Sequence, residues 1–313
     1  MSTGTFHSYG KLLLTGEYLV LDGAKALALP TRPGQGLSAD PLPDPVLEFI
    51  SLDHTGKPWF KAIVNLKALT VNTPEGDIPV ILETTNKAAG AHLLSMLRNI
   101  AAQDPSFFKN EQGYRLTSTL EFPRDWGLGS SSTFINNLAL WSKTDPYQIL
   151  EASLGGSGYD LACANAAGPL FYTKVAPRPK VEPISFNPEF KDDLYFIYLN
   201  KKQNSRDGIS KYRNLGGGKK EEIRRISEIS EAIATCSSLK VFQELISEHE
   251  HIISKLLSRP TVKEQLFPDF NGCIKSLGAW GGDFILATSE NDPTRYFHSE
   301  GYNTVLAYTD LIL

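Results

Sequence analysis

The feature that most constrains the fold is a glycine- and serine-rich loop between a strand pattern and a helix pattern. Residues 115–122 alternate as in a strand, and residues 130–141 place their larger apolar side chains on one side, as in a helix. Residues 123–132, which we call the glycine loop, join them and read Pro-Arg-Asp-Trp-Gly-Leu-Gly-Ser-Ser-Ser. Glycines let backbone N–H groups approach an anion, and the start of a helix adds positive potential. The loop therefore indicates phosphate binding, although an ordinary turn in which a serine caps the helix would have the same sequence pattern.

The spacing of the glycine loop disfavours the two most familiar nucleotide-binding motifs. A P-loop needs GxxxxGK[ST], and a Rossmann loop needs GxGxxG followed about 20 residues later by an acidic residue. The glycine loop has neither pattern. Its three serine hydroxyls could instead contact a phosphate or a Mg²⁺ ion that accompanies a nucleoside triphosphate.

Charge and cysteine content exclude other classes of protein. The chain has 31 Lys and Arg against 35 Asp and Glu, a net charge of −4, so it lacks the basic excess of a protein that binds nucleic acid through many phosphates. Its three cysteines form no CxxC pair, which predicts neither a disulfide framework nor a zinc site. No signal peptide or apolar window of about 18 residues is evident. We therefore expect a cytoplasmic protein with no membrane partner.

The length of 313 residues predicts two domains at about 150 residues each. We place the boundary near residue 176, where four prolines in residues 177–188 suggest a stiff linker, giving domains 1–175 and 176–313. Both halves mix strands and helices, which predicts an α+β fold. The finer predictions are a strand pair at 11–14 and 18–21; strands at 46–50, 59–64, 193–199, 283–288 and 304–313; and helices from 86 to about 103, at 221–234 and at 239–257.

Three further motifs accompany the glycine loop in the chain. The first motif, residues 8–23, contains Ser-Tyr-Gly-Lys and then Gly-Glu-Tyr-Leu-Val-Leu-Asp-Gly. The aspartate motif, residues 155–162, reads Gly-Gly-Ser-Gly-Tyr-Asp-Leu-Ala, and the third motif, residues 275–284, reads Lys-Ser-Leu-Gly-Ala-Trp-Gly-Gly-Asp-Phe. Taken alone, Lys11 fits a solvated strand end and Asp160 fits an ordinary helix start.

The chain order is first motif, glycine loop, aspartate motif and third motif. Together, in this chain order, the four motifs resemble those of the GHMP small-molecule kinases. The Gly-Tyr-Asp-Leu-Ala segment resembles the GYDIA-type subgroup, and the Gly-Glu-Tyr and Gly-Gly-Asp segments resemble phosphomevalonate and mevalonate kinases most. The chain departs from the family at Tyr9, where proline is usual, at Ser132, where alanine is usual, and at Trp280, which stands for a glycine. The resemblance implies a domain like domain 2 of ribosomal protein S5, followed by a ferredoxin-like domain.

The resemblance also implies cofactors, an acceptor and roles for individual residues. ATP and Mg²⁺ are the expected cofactors, and the acceptor is expected to be a small anionic molecule. Asp160 and Lys11 are expected to be catalytic, and Ser131 and Glu151 to bind the metal. Contacts to ATP are expected from Gly127, Leu128, Gly129, Ser130, Ser131, Ser132, Gly281 and Gly282, and contacts to substrate from Glu17, Ser157, Lys201, Ser205 and Arg206.

The function that this resemblance implies is phosphoryl transfer to an isoprenoid-pathway acid, with phosphomevalonate favoured over mevalonate. Two alternatives stay open: a ligand sensor that keeps the fold without catalysis, and a decarboxylase of the same superfamily. A homodimer is also left open. Two features are expected to have no catalytic role: His249 and His251, as surface side chains, and Cys163, as a small buried hydrophobe.

Overall fold

The computed structural model describes residues 3–70, 79–109, 112–203, 205–216, 218–278 and 280–313, without the side chains of residues 70, 205 and 206. The chain divides into two compact units. The first unit comprises residues 1–10, 33–124 and 129–165, and the second comprises residues 11–32, 125–128 and 166–313. The boundary expected near residue 176 lies within the longest segment of the second unit, and as a division into domains it stays a prediction.

The described residues form runs of strands and runs of helices, as the α+β prediction requires. The strands are β1 (Gly4–Leu13), β2 (Ala26–Leu42), β3 (Val46–Leu52), β4 (Pro58–Asn65), β5 (Ile81–Thr84), β6 (Gly113–Leu120), β7 (Leu170–Thr173), β8 (Lys180–Pro183), β9 (Leu194–Tyr198), β10 (Ile274–Ser276), β11 (Phe284–Thr288) and β12 (Val305–Ala307). The α-helices are α1 (Leu66–Thr70), α2 (Lys87–Gln103), α3 (Ser130–Ser142), α4 (Pro146–Ser153), α5 (Tyr159–Ala164), α6 (Ser205–Arg213), α7 (Lys220–Ala234), α8 (Leu239–Leu257), α9 (Val262–Leu266), α10 (Thr294–Ser299) and α11 (Tyr308–Leu311).

The first unit packs helices α1 to α5 on one sheet. The strand order is β5-β4-β3-β6-β2, where β3 and β6 run parallel and the other neighbours are antiparallel. Strands β3 and β4 alternate between buried and less buried residues, so one face of the sheet packs on the apolar side of α2 and α3. Trp141 on α3 is fully buried in this core. The core thereby fixes helix α3, which begins at the glycine loop.

The second unit contains a separate antiparallel sheet with its own core. Its strand order is β10-β11-β9-β12, and β11 is buried at every position. In the same unit, the start of β2 pairs with β7, which pairs with β8. Helix α8 buries Phe242, Ile246 and Ile253, whose spacing follows the helical period. Among the described residues of both units, no helix is long and apolar enough to cross a membrane.

Most of the predicted regular elements are confirmed. Asn86 caps α2 by accepting a hydrogen bond from the amide of Ala89 at 3.0 Å, as a helix start at this residue requires. The predicted helices at 130–141, 221–234 and 239–257 and the predicted strands at 46–50 and 59–64 are present within one or two residues of their predicted ends.

Three local predictions are wrong. Residues 18–21 do not form a strand: a 3₁₀ helix spans Leu19–Asp22, because Gly16 and Tyr18 turn the chain at φ of 95° and 60°. Residues 304–313 form only the short strand β12 before helix α11. The proline-rich segment expected to be a linker contributes strand β8, paired with β7.

Candidate active site

The glycine loop leads directly into helix α3, as the sequence predicts. Gly129 occupies the N-cap position with φ of 88°, a left-handed conformation that glycine adopts at little cost. Ser130 begins the helix and is half-buried, Ser131 is exposed, and the side chain of Ser132 is buried. The start of a 13-residue helix thus presents an exposed serine hydroxyl, as a phosphate-binding site requires.

The structure places Asp160 beside the same helix start, within the first unit. Asp160 lies in the first turn of α5, after Gly158 at φ of 90°, and is half-buried. The hydroxyl of Ser132 donates to its Oδ2 at 3.4 Å. Ser157 lies just before this turn and is half-buried, whereas Glu151 is exposed on α4. A hydrogen bond thus joins Ser132 and Asp160, two of the predicted site residues in this unit.

A buried polar network under α3 was not anticipated from the sequence. Ser8, from the first motif, donates to Asn137 at 2.8 Å and accepts from Asn136 at 2.9 Å. Asn137 also donates to the carbonyl of Gln35 at 2.8 Å, and the hydroxyl of Thr133 donates to the side chain of Gln35. Because buried polar groups are costly unless paired, this network fixes the orientation of α3. The signal in the sequence was the pair of asparagines within an otherwise apolar helical pattern.

Lys11 begins the second unit's share of the first motif. Its backbone N–H donates to the carbonyl of Leu128 at 3.0 Å, so strand β1 is bonded to the glycine loop at this residue. Leu128 is fully buried, and Gly127 has φ of 69°. A side chain at position 127 would collide with the carboxylate of Asp283. Both the conformation and the space at position 127 therefore require glycine.

Asp283, which the sequence analysis gave no role, lies against the glycine loop. It is a non-glycine residue at φ of 54° and is 8% exposed. Its Oδ1 accepts the backbone N–H of Gln203 at 2.9 Å. Burial raises the pKa of Asp283, and the Gln203 amide and the positive charges of Lys11 and Lys202 oppose that rise. The second unit thus brings Lys11 and a buried carboxylate into one electrostatic neighbourhood.

The end of the third motif is bonded to the segment that follows β9. The backbone N–H of Asp283 donates to the carbonyl of Lys201 at 2.8 Å, and the side chain of Gln203 donates to the carbonyl of Gly281 at 3.0 Å. The Gln203 side chain also fills the space beside Gly282. Lys201 itself is exposed.

Two predicted substrate residues lie next to this segment. Ser205 and Arg206 begin helix α6, and their side chains lie outside the described residues. Their predicted contacts with substrate stay predictions.

Glu17, predicted to contact substrate, is fully buried in the second unit. Its Oε1 accepts from Lys275 Nζ at 2.6 Å, and its Oε2 lies 3.1 Å from His249 Nε2. All three side chains are 0% exposed. The expectation of a surface position for His249 is wrong, because Nε2 accepts the buried N–H of Gly16 at 3.0 Å, whereas His251 is exposed as predicted. Cys163 is buried, also as predicted.

The burial of this cluster changes its protonation. Burial raises the pKa of Glu17 to about 7, although Lys275 opposes the rise. Burial also raises the pKa of Glu250, which is 2% exposed, and lowers the pKa of His249 well below its usual value. The cluster therefore favours an uncharged His249, and its carboxyls ionise at a higher pH than an exposed glutamic acid does.

The raised pKa of Glu17 predicts a pH-dependent stability that Glu17→Gln removes. The pKa of Glu17 is higher in the folded state, at about 7, than in the unfolded state, at about 4.5. Between these two pH values the unfolded chain loses the proton first, so the folded state becomes less stable as the pH rises. The loss is on the order of 3 kcal/mol, at about 1.4 kcal/mol per pKa unit. His249 acts in the opposite direction, since its lowered pKa destabilises the fold as the pH falls below 6.5. The measurement is therefore the difference in free energy of unfolding between wild type and Glu17→Gln from pH 4.5 to 8.

We expect this difference to change in favour of the variant as the pH rises. Glu264→Gln is a suitable control, because hydrogen bonds from Thr261 lower the pKa of this surface carboxyl. A difference between wild type and Glu17→Gln that does not vary with pH would contradict the assignment.

Trp280, the bulky residue in the third motif, does not occupy a strained position. The left-handed residues of the turn are Gly278, Gly281 and Asp283, and Trp280 is not among them. Its indole is 2% exposed, and its Nε1 donates to Glu250 at 3.1 Å. The tryptophan is thus accommodated because its side chain turns into the core of the second unit.

Neither a family model nor a curated protein matches the chain, but solved structures do. The mevalonate kinase of Methanococcus jannaschii is 16% identical, with 97% of each chain covered and a TM-score of 0.67. The phosphomevalonate kinase of Streptococcus pneumoniae, solved with phosphomevalonate and AMPPNP, is 15% identical, with 99% of this chain and 98% of that chain covered and a TM-score of 0.67. A D-glycero-D-manno-heptose 1-phosphate kinase from Bacteroides thetaiotaomicron is 12% identical, with 98% and 95% covered and a TM-score of 0.65.

These similarities extend over nearly the whole chain and confirm the fold predicted from the four motifs, the α+β fold of the GHMP kinases. The solved structures thus include a mevalonate kinase, a phosphomevalonate kinase and a heptose 1-phosphate kinase. The fold is therefore compatible with more than one class of acceptor.

Proposed function

We propose that this protein is an ATP-dependent kinase that transfers the γ-phosphoryl group to an isoprenoid-pathway acid, with phosphomevalonate favoured and mevalonate next. The observation that supports it most is the hydrogen bond from the backbone of Lys11 to Leu128. This bond supports the proposal because it joins the backbone of the predicted catalytic lysine to the glycine loop, where a phosphoryl group would be bound. A cytoplasmic location, where ATP is plentiful, is part of this proposal.

The proposal assigns the tasks of phosphoryl transfer to a few residues. The amides of Gly127, Gly129 and the start of α3 would bind the phosphates, and Lys11 would stabilise negative charge that develops during transfer. Asp160 would orient the acceptor hydroxyl or accept its proton.

The residues present fit a Mg²⁺ ion in their chemistry. Mg²⁺ prefers oxygen ligands and keeps several waters, so one or two protein oxygens suffice beside the phosphates. The exposed hydroxyl of Ser131 and the carboxylates of Glu151 and Asp160 are the candidate ligands. No group of three or more His, Cys, Asp or Glu side chains able to hold a metal occurs among the described residues. Bound Mg²⁺ would neutralise phosphate charge.

The preference for an anionic acceptor draws on local charge. The segment after β9 exposes Lys201 and Lys202, and its backbone is bonded to the third motif through Asp283. A lysine ammonium attracts a phosphate or carboxylate without fixing its orientation. The solved kinase that binds phosphomevalonate covers 99% of this chain, which makes that acceptor the first to test.

Lys11→Met is expected to lower kcat by about 100-fold, the usual cost of removing one group that stabilises transition-state charge. The affinity for ATP should change little, because the backbone of residue 11 keeps its bond to Leu128. Kinetics and equilibrium binding of an ATP analogue would measure the two effects. Lys191→Met, a change on a 3₁₀ turn distant in sequence from every motif, is the control. A Lys11→Met enzyme with near-wild-type kcat would contradict the proposed role.

One assay separates the proposed kinase from its alternatives. ADP release is followed with mevalonate, phosphomevalonate, diphosphomevalonate, homoserine and simple sugars, and CO₂ is measured alongside. ADP without CO₂, with phosphomevalonate as the best acceptor, is the expected result. CO₂ release with diphosphomevalonate would favour a decarboxylase, and ATP binding without ADP release from any acceptor would favour a sensor.

A further inference from the structure

A chain of buried polar side chains joins three separate segments of the second unit. Glu17 comes from the first motif, Lys275 and Trp280 from the third motif, and Glu250 from helix α8. Lys275 Nζ donates to Glu17 Oε1 at 2.6 Å and lies 3.7 Å from Glu250 Oε1, which accepts Trp280 Nε1–H at 3.1 Å. We call these four residues the buried bridge. Each of them is at most 2% exposed.

The composition of the buried bridge is unusual for a part that only adds stability. Two carboxylates share one ammonium group, and His249 beside them accepts a backbone N–H through Nε2. A buried ion pair roughly offsets its own desolvation cost, so apolar residues of similar size would stabilise the core at least as well. What such a bridge provides is a defined geometry, since charged hydrogen bonds are short and directional.

The buried bridge ends at the turn that faces the glycine loop. Trp280 is followed by Gly281 and Gly282 and then by Asp283, whose carboxylate packs on Gly127. Among the described residues from 278 to 282, Trp280 alone has a side chain, because the others are glycines. The indole is therefore the one described side chain between Gly278 and Asp283 that can anchor this turn to the core.

Two groups hold the indole from different sides. Glu250 accepts its N–H from within the core, and the guanidinium carbon of Arg259 lies 5.9 Å from the ring centroid. Arg259 is exposed, and its contact with the ring is at the outer limit of a cation–π interaction. The directional contact of the Trp280 indole is thus the hydrogen bond to Glu250.

We propose that Glu250 and Trp280 are positioning residues, which hold the turn of residues 280–283 in the conformation that receives ATP. The bridge extends this control to the first motif, because Lys275 bonds Glu17 as well as lying beside Glu250. The part of the inference that concerns ATP rests on the proposed kinase function. The part that concerns the turn does not.

Trp280→Phe tests the inference, because it removes the N–H donor and keeps an aromatic ring. Loss of one hydrogen bond to a charged group should loosen the turn about tenfold. The first readout is hydrogen exchange at the backbone N–H of Asp283, which donates to Lys201, with the amides of β11 as an internal reference. We expect about tenfold faster exchange at Asp283 and little change in β11.

The second readout is the split between KM and kcat. The KM for ATP should rise about tenfold in Trp280→Phe, while kcat at saturating ATP stays within about threefold of the wild-type value. The reason is that bound ATP holds the turn in its wild-type conformation. A residue with only a structural role would lower the melting temperature without this split. Glu250→Gln keeps the shape of the side chain and removes its charge, and it should change both readouts in the same direction.

Two matched controls accompany these variants. Trp59→Phe removes an indole N–H that has no hydrogen-bond acceptor among the described residues. Glu248→Gln neutralises a carboxylate two residues from Glu250, where Glu248 pairs with Arg225 near the surface. Neither control should change the exchange of Asp283. Glu248→Gln should also leave the KM for ATP unchanged, whereas Trp59→Phe is a control for exchange alone, because the Trp59 ring contacts Arg124 of the glycine loop.

The outcomes separate this inference from the proposed function. If Asp283 exchanges in Trp280→Phe and Glu250→Gln as it does in the controls, the bridge does not position the turn, and the inference is overturned. If the wild type phosphorylates no acceptor, the proposed function fails, and hydrogen exchange still decides whether the bridge positions the turn.

Discussion

Asp160→Asn is expected to reduce kcat by about 10²–10⁴-fold, the range for loss of a general acid or base. The asparagine keeps the size of the side chain and can still accept from the hydroxyl of Ser132, which lies 3.4 Å from Oδ2 in the wild type. It cannot take a proton from an acceptor hydroxyl. The start of helix α3 stays intact, so the affinity for ATP should be retained within a few fold. Steady-state kinetics and calorimetric binding of an ATP analogue would measure the two quantities separately.

The control for this variant is Asp192→Asn, which changes an exposed aspartate in a 3₁₀ turn. It should leave both kcat and ATP affinity unchanged. An Asp160→Asn enzyme that retains kcat within about threefold would exclude proton transfer to this residue and would leave at most a role in orienting the acceptor.

Lys275→Met is expected to lower the free energy of unfolding by about 3–5 kcal/mol, the usual cost of leaving buried charges without a partner. The ammonium group of Lys275 bonds Glu17 and lies beside Glu250, and none of these side chains is more than 3% exposed. Methionine has a similar length but removes the ammonium group that lies beside both carboxyls. Urea unfolding followed by circular dichroism would measure the loss at pH 7.

A double variant distinguishes the charge effect from poor packing. Lys275→Met combined with Glu17→Gln removes one negative charge together with the positive one, so we expect it to recover a large part of the lost stability. Lys263→Met, at a half-buried lysine elsewhere in the same unit, controls for the substitution itself. If the single variant loses less than about 1 kcal/mol, Lys275 is not needed to balance the buried carboxyls.

The elements that the sequence predicted well depend on neighbours in the chain. The apolar period of α2 and its Asn86 cap are local signals, as is the glycine loop before α3, whose Gly129 must adopt a left-handed conformation. The predictions that fail depend on distant partners. The apolar pattern of residues 18–21 predicted a strand, but an apolar run is compatible with several structures. The chain turns at Gly16 and Tyr18 into a 3₁₀ helix that buries Leu19 and Val20.

The same distinction, between local patterns and contacts with distant residues, applies to the candidate site. Lys11, Asp160 and the serines of the glycine loop are recognisable from motifs, since each motif is a short run of residues. Asp283 and Glu250 were given no role, because their neighbours Gly127 and Lys275 lie far away in sequence. For Glu250 a weak signal exists: it lies on the helical face marked by Ile246 and Ile253, four residues before it and three after it.

The sequence by itself determined the fold class, the four longest described helices and the order of the phosphate-binding motifs, because these follow from local conformational preference and from short patterns. The tertiary structure alone decided which charged residues are buried. Glu17, His249 and Lys275 are residue types that usually lie at the surface, but each of them is fully buried in the structure. Burial of a charge is acceptable only where a partner from elsewhere in the chain meets it at hydrogen-bond distance, and that meeting is a property of packing.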